Sequence, residues 1–166
     1  MRILRNAAAA AIVAAGLLGP NLFAAGASVA AEAPRPPPEV ERSALSRLRK
    51  AGATEDALAQ GEGLFRPVRL SGAATPDWLV DYAAVPLGRL CGTGGCPLQV
   101  WAATPGGRYR VVLDRQVLGH AVSDTPPALR LELHGVHCGG TGSDPCVQHL
   151  AWRDGRLART DAARGR

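Results

Sequence analysis

Aromatic side chains are scarce in this sequence, with three Trp, two Tyr and two Phe among 166 residues. A core built around large rings is therefore excluded, and Leu, Val and Ala must fill it. Lysine is rarer still: Lys50 stands alone, so nearly all the positive charge is arginine. Those arginines are scattered from Arg42 to Arg130 and thicken only near the C-terminus, at Arg153, Arg156, Arg159, Arg164 and Arg166. A nucleic-acid surface needs a clustered basic patch with stacking aromatics, and none is written here. Hydrolase signatures are missing too, since there is neither a Gly-x-Ser-x-Gly elbow nor a His-Glu-x-x-His helix. Asp77 and Asp81 are the nearest thing to a carboxylate pair, but four apart on a strand they share a face by period alone.

Long apolar runs are confined to the start. Arg2 and Arg5 precede an uncharged Ala-rich stretch from Ala7 to Gly19, and small residues follow. This is the layout of a secretory signal peptide over residues 1–31, with cleavage after Ala30, Ala31 or Ala33. The run is shorter than the roughly 20 residues of a membrane span, and Pro20 interrupts it, so no transmembrane segment is expected. No cysteine follows it to carry a lipid. Removing residues 1–31 takes away two arginines and no acid, lowering the formal charge from +5 to +3. The expected location is periplasmic or extracellular.

Four cysteines in an exported chain are read first as two disulfides. Three pairings exist. Loop-closure entropy favours the local ones, Cys91 with Cys96 in "CGTGGC" and Cys138 with Cys146 in "CGGTGSDPC". Thiol-disulfide catalysis is disfavoured, because the first pair is spaced Cys-x4-Cys in a Gly loop and not Cys-x-x-Cys at a helix start.

Residues 32–38 contain "PRPPP" and read as a linker. In residues 39–62, Val40, Ala44, Leu45 and Leu48 fall on one helical face, with Gly52 as a stop. Thr54 is a candidate cap for a second short helix ending at Gly61. From residue 63 to 160 short runs bounded by Gly, Pro and Asp predict strands at 68–70, 78–83, 98–103, 109–113, 117–122, 129–133, 147–152 and 156–159. Gly106-Gly107 and Asp154-Gly155 are expected at hairpin tips. Residues 161–166 read as a disordered tail. The fold class expected is mainly β, a single antiparallel meander sheet or small barrel of about six to eight strands with a short N-terminal helical extension.

Three of the four histidines gather in "HGVHCGGTGSDPCVQH" as His134, His137 and His149, types that zinc or copper accepts. Their spacing matches no zinc-finger or ribbon pattern, and an oxidising compartment would take the neighbouring thiols into a bridge. No cofactor is expected. Trp101, Tyr109, His120 and Trp152 are the candidate contact residues of a binding surface.

"TPDWLVDYAAV" followed by "LCGTGGCPLQVWAATPGGRYRVVLD" resembles exported bacterial proteins of unknown function, related loosely to FG-GAP-type β modules. The resemblance spans residues 75–153 and implies a strand leading through a Cys/Gly loop into a hairpin. Full repeats of that kind carry a calcium loop before the Pro-Asp, where this chain has Ser71-Gly72-Ala73-Ala74-Thr75 with no carboxylate. The function expected is a non-enzymatic binding or envelope-associated domain whose partner is an unknown protein or envelope ligand. Its alternatives are a periplasmic inhibitor of a lysozyme-like enzyme, and a metal-binding protein or hydrolase using His134, His137 and His149.

Overall fold

The computed structural model describes residues 34–160 except 88, 143 and 145. The signal peptide expected over residues 1–31 and the tail at 161–166 lie outside the described residues. Helix α1 (Pro38–Lys50) is followed by the single turn and a half of α2 (Glu55–Ala59) and eight strands, β1 (Phe65–Val68), β2 (Asp77–Asp81), β3 (Cys96–Ala103), β4 (Tyr109–Val117), β5 (Gly119–Asp124), β6 (Pro127–Leu133), β7 (Cys146–Arg153) and β8 (Arg156–Arg159). Every pairing is antiparallel between consecutive strands. The mainly β meander expected from the sequence is thus what the structure shows. It divides into two four-stranded sheets, β1-β2-β3-β4 and β5-β6-β7-β8, and closes into no barrel.

The division follows from burial. Leu79, Leu98, Val100 and Val117 of the first sheet form one apolar cluster with Leu129, Leu131, Leu133 and Leu150 of the second. Successive strand residues face opposite ways, so Trp78 and Val80 point to the other side of the first sheet, where they pack with Val40, Ala44 and Leu48 of α1. Residues 77–80 are consequently all buried. The first sheet is covered on both faces, by α1 and by the second sheet, whereas the second sheet keeps one wet face.

Helix α1 is built as its sequence predicts, with Pro38 in the first turn, Glu39 and Glu41 near its positive end and Arg47, Arg49 and Lys50 near its negative end. A polar chain pins it to the sheet. Arg47 donates to both carboxylate oxygens of Asp114 (2.9 and 2.8 Å), Gln99 donates to Asp114 (2.8 Å), and buried Tyr82 donates its hydroxyl to Gln99 (2.9 Å). The Arg47 guanidinium also stands 5.0 Å from the centroid of the Tyr82 ring. Burial pushes the Tyr82 phenol up to about 12, against the opposing pull of Arg47.

Both disulfides form with the local pairing, Cys91–Cys96 and Cys138–Cys146. "CGTGGC" is a staple. Gly92 and Gly95 exchange two backbone hydrogen bonds of 2.9 Å, which close a tight turn across the bridge. Gly95 has φ +95°, and a Cβ there would lie 1.8 Å from the Val117 carbonyl oxygen, so only glycine fits. In the second loop the exposed Asp144 carboxylate accepts from the Thr141 N–H (2.6 Å) and hydroxyl (3.0 Å), and these bonds hold it below its ordinary range.

Candidate functional site

Strand direction sorts the loops into two ends. Cys96 pairs with Val117, Leu118 donates to the Glu132 carbonyl, and Leu133 pairs with Cys146. Both disulfide loops therefore sit at one end of the sandwich. The opposite end collects the segment 71–75, the β3–β4 hairpin and the β7–β8 hairpin.

The segment 71–75 is held by Asp77, which is 1% exposed. One of its carboxylate oxygens accepts from the N–H groups of Leu70 (2.9 Å) and Ser71 (2.7 Å); the other accepts from the Ser71 hydroxyl (2.7 Å) and the Ala103 N–H (3.1 Å). A single carboxylate thus ties the chain after β1 to the end of β3. Asp81 lies on the same face of β2 at its far end, with His120 Nε2 3.9 Å away. Burial lowers the His120 pKa, Asp81 pulls it back up, and Arg66 adds to the lowering. The two aspartates therefore serve opposite ends of the sandwich and share no site.

The β3–β4 hairpin turns at Gly107 (φ +72°), with the Thr104 N–H and hydroxyl both donating to the Arg108 carbonyl at 2.8 Å. A bulge follows: Val100 pairs with Leu113 and Trp101 with Val111, leaving Val112 as the extra residue. It lets Val112 and Leu113 both pack against the inter-sheet cluster and sends Arg110 toward the second sheet. The β7–β8 hairpin is a two-residue turn with Asp154 (φ 49°) and Gly155 (φ 75°) both left-handed, which is the Asp-Gly pattern expected.

These three segments enclose an open cleft of about 600 Å³. Its walls are small side chains and backbone: Ser71, Gly72, Ala73, Ala74 and Thr75 on one side, Ala103, Thr104, Pro105 and Gly107 on another, with Gly155 closing it. Two large side chains stand in it. Arg110 lies with its guanidinium 5.9 Å from the centroid of the Trp152 ring, and it donates to the Gly155 carbonyl. Among the described residues that line the cleft there is no Asp, Glu, His or Cys.

Of the four aromatic and histidine candidates for contact, the structure brings only Trp152 to this cleft. Trp101 and Tyr109 instead pack under α1 on the far face of the first sheet. Trp101 donates to Gln99 (3.3 Å) and Tyr109 to the Pro76 carbonyl (3.1 Å). His120 lies at the opposite end. The histidines of the second disulfide loop are likewise separate: the His134 ring lies where a Cβ on Gly142 would go, His137 is exposed in the 3-10 turn, and His149 is exposed on β7. Among the described residues no three His, Cys, Asp or Glu side chains are grouped as a metal ion requires. Sequence reasoning missed Arg110 and the 71–75 segment; the one available signal was the Pro-Asp that follows that segment.

No protein-family model matches the chain, and neither a curated protein nor a solved structure matches it. No helix among the described residues is long and apolar enough to cross a membrane.

Proposed function

We propose that the chain is an exported, non-enzymatic binding domain that takes its ligand in the cleft beside Trp152. The cleft itself carries this reading: loops from both sheets converge on a space of about 600 Å³, inside the range of roughly 300 to 1,000 Å³ typical of ligand sites. Trp152 offers a ring for apolar contact and Arg110 a charge. Chemistry would need more. Among the described residues Ser71 is the only serine lining the cleft and no histidine lines it to act as a base, while the Ser71 proton is committed to the structural carboxylate of Asp77.

Export is supported by the Arg-then-Ala leader pattern of residues 1–31 and by two disulfides, which suit an oxidising compartment. With both staples at the end opposite the cleft, the binding loops sit on a rigid scaffold without being cross-linked themselves.

Retention of the purified protein on an envelope fraction of its source cell tests the reading. We expect wild-type protein to be retained and Trp152→Ala to weaken retention at least tenfold. Retention unchanged in Trp152→Ala would overturn it.

A further inference from the structure

Resting on that reading, we infer that the ligand is the free carboxylate end of a short peptide segment with small side chains, its carboxylate on Arg110 and its apolar body against Trp152. Charge comes first. The part-buried Arg47 and Arg130 and the exposed Arg49 are paired with Asp114, Glu132 and Glu55. Arg110 has no such partner among the described residues; its contacts are the Gly155 carbonyl and the face of Trp152. Those two contacts hold the guanidinium in place and leave most of its five N–H donors free. A donor fork already held in position loses less entropy on binding, and its geometry suits a carboxylate.

The walls point the same way. Backbone N–H and carbonyl groups of Gly72, Ala74 and Thr75 have no hydrogen-bond partner among the described residues, so this lining segment has both donors and acceptors to offer. Paired donors and acceptors suit a peptide main chain, and a lining with no acidic side chain among the described residues suits its terminal carboxylate. Side chains no larger than Thr or Pro line the rest, which leaves room for a main chain to approach closely. A fatty acid would call for an enclosed tunnel, and this cleft is open. Trp152 supplies one apolar platform, enough for a methyl-sized side chain beside the terminus.

The probes are acetyl-Ala-Ala with a free carboxylate and the same dipeptide as its amide, titrated while tryptophan emission is followed. The free acid should bind saturably and more weakly as salt rises, since the contact is charge-assisted. Arg110→Ala should weaken it about 10- to 100-fold, the usual worth of a hydrogen bond to a charged group. The amide should bind wild type as weakly as the acid binds Arg110→Ala, and that variant should no longer distinguish the two probes. Equal binding of acid and amide to wild type would overturn the carboxylate assignment while leaving the cleft reading intact. No saturable binding of the acid at millimolar concentration would also overturn it, and Trp152-dependent envelope retention would then show that the cleft binds something else. If retention were Trp152-independent as well, both readings would fall. Because the acid–amide comparison is made on wild-type protein, it stands whether or not Arg110→Ala folds normally.

Discussion

Replacing Asp77 puts the whole cleft end of the sandwich at risk. Its carboxylate accepts four hydrogen bonds, from Leu70 N–H, Ser71 N–H, the Ser71 hydroxyl and Ala103 N–H, at 2.7 to 3.1 Å and with the residue 1% exposed. Hydrogen bonds to a charged group are worth roughly 1.5 to 3 kcal/mol each, but four on one carboxylate do not add. In Asp77→Ala the amides of Leu70, Ser71 and Ala103 lose their acceptor, all three in buried or part-buried surroundings. The expected loss is about 3 to 5 kcal/mol, a large fraction of the roughly 5 to 15 kcal/mol that holds a domain of this size.

Asp77→Asn separates charge from shape. Its amide oxygen, placed toward Leu70 and Ser71, keeps those two acceptor bonds. Its NH₂ then donates to the Ser71 hydroxyl but opposes the Ala103 N–H, so one bond of four is replaced by a clash of donors. The expected loss is about 1.5 to 3 kcal/mol. Urea unfolding of the oxidised protein, followed by tryptophan emission, measures both variants, with Trp78 adjacent to the change. A loss below about 1 kcal/mol for Asp77→Ala, or an asparagine variant less stable than the alanine one, would refute the account.

Gly95→Ala should fail to accumulate as folded protein, because its Cβ meets the Val117 carbonyl and φ +95° is strained for alanine; normal yield with an unchanged thermal midpoint would contradict this. Alkaline stability should follow Tyr82. Its folded pKa is raised above the unfolded value near 10, so its contribution is complete below pH 10 and lost as pH rises toward 12; about 1.4 kcal/mol should be gone at pH 11 by urea titration, and a loss unchanged in Tyr82→Phe would contradict it.

The strands were legible because each alternates or ends on a turn signal that holds in isolation. Leu129, Leu131 and Leu133 are buried while Arg130 and Glu132 are partly wet, and Asp154-Gly155 adopts the two left-handed conformations its hairpin requires. Local pairing of the cysteines followed from chain length alone. What escaped was any feature set by a distant element. Residues 114–116, Asp-Arg-Gln, read as a loop between two strands, yet β4 runs through them. Asp114 is taken by Arg47 of α1, and Arg115 donates to Gln148 of β7 at 3.0 Å. Polar residues are stable in that strand because partners from the layers on either side answer them.

The same physics separates the aromatic residues. Trp101 lies between Val100 and Ala102, and Trp152 between Ala151 and Arg153; both sit on strands, and strand position alone does not say which ring is covered. The difference lies in which layer covers each face: α1 closes over Trp101, whereas Trp152 stands near the end of β7 beyond the inter-sheet cluster, with the Arg110 guanidinium over its ring. Arg110 in turn is one of many scattered arginines in the sequence, and only the bulge at Val112 aims it across the sheets. A site assembled from a bulge, a small-residue segment and two hairpin tips leaves no spacing to read. Its one trace is Asp77, a buried acid whose role is to hold the backbone of residues 70–71 and 103 in the place where the cleft needs them.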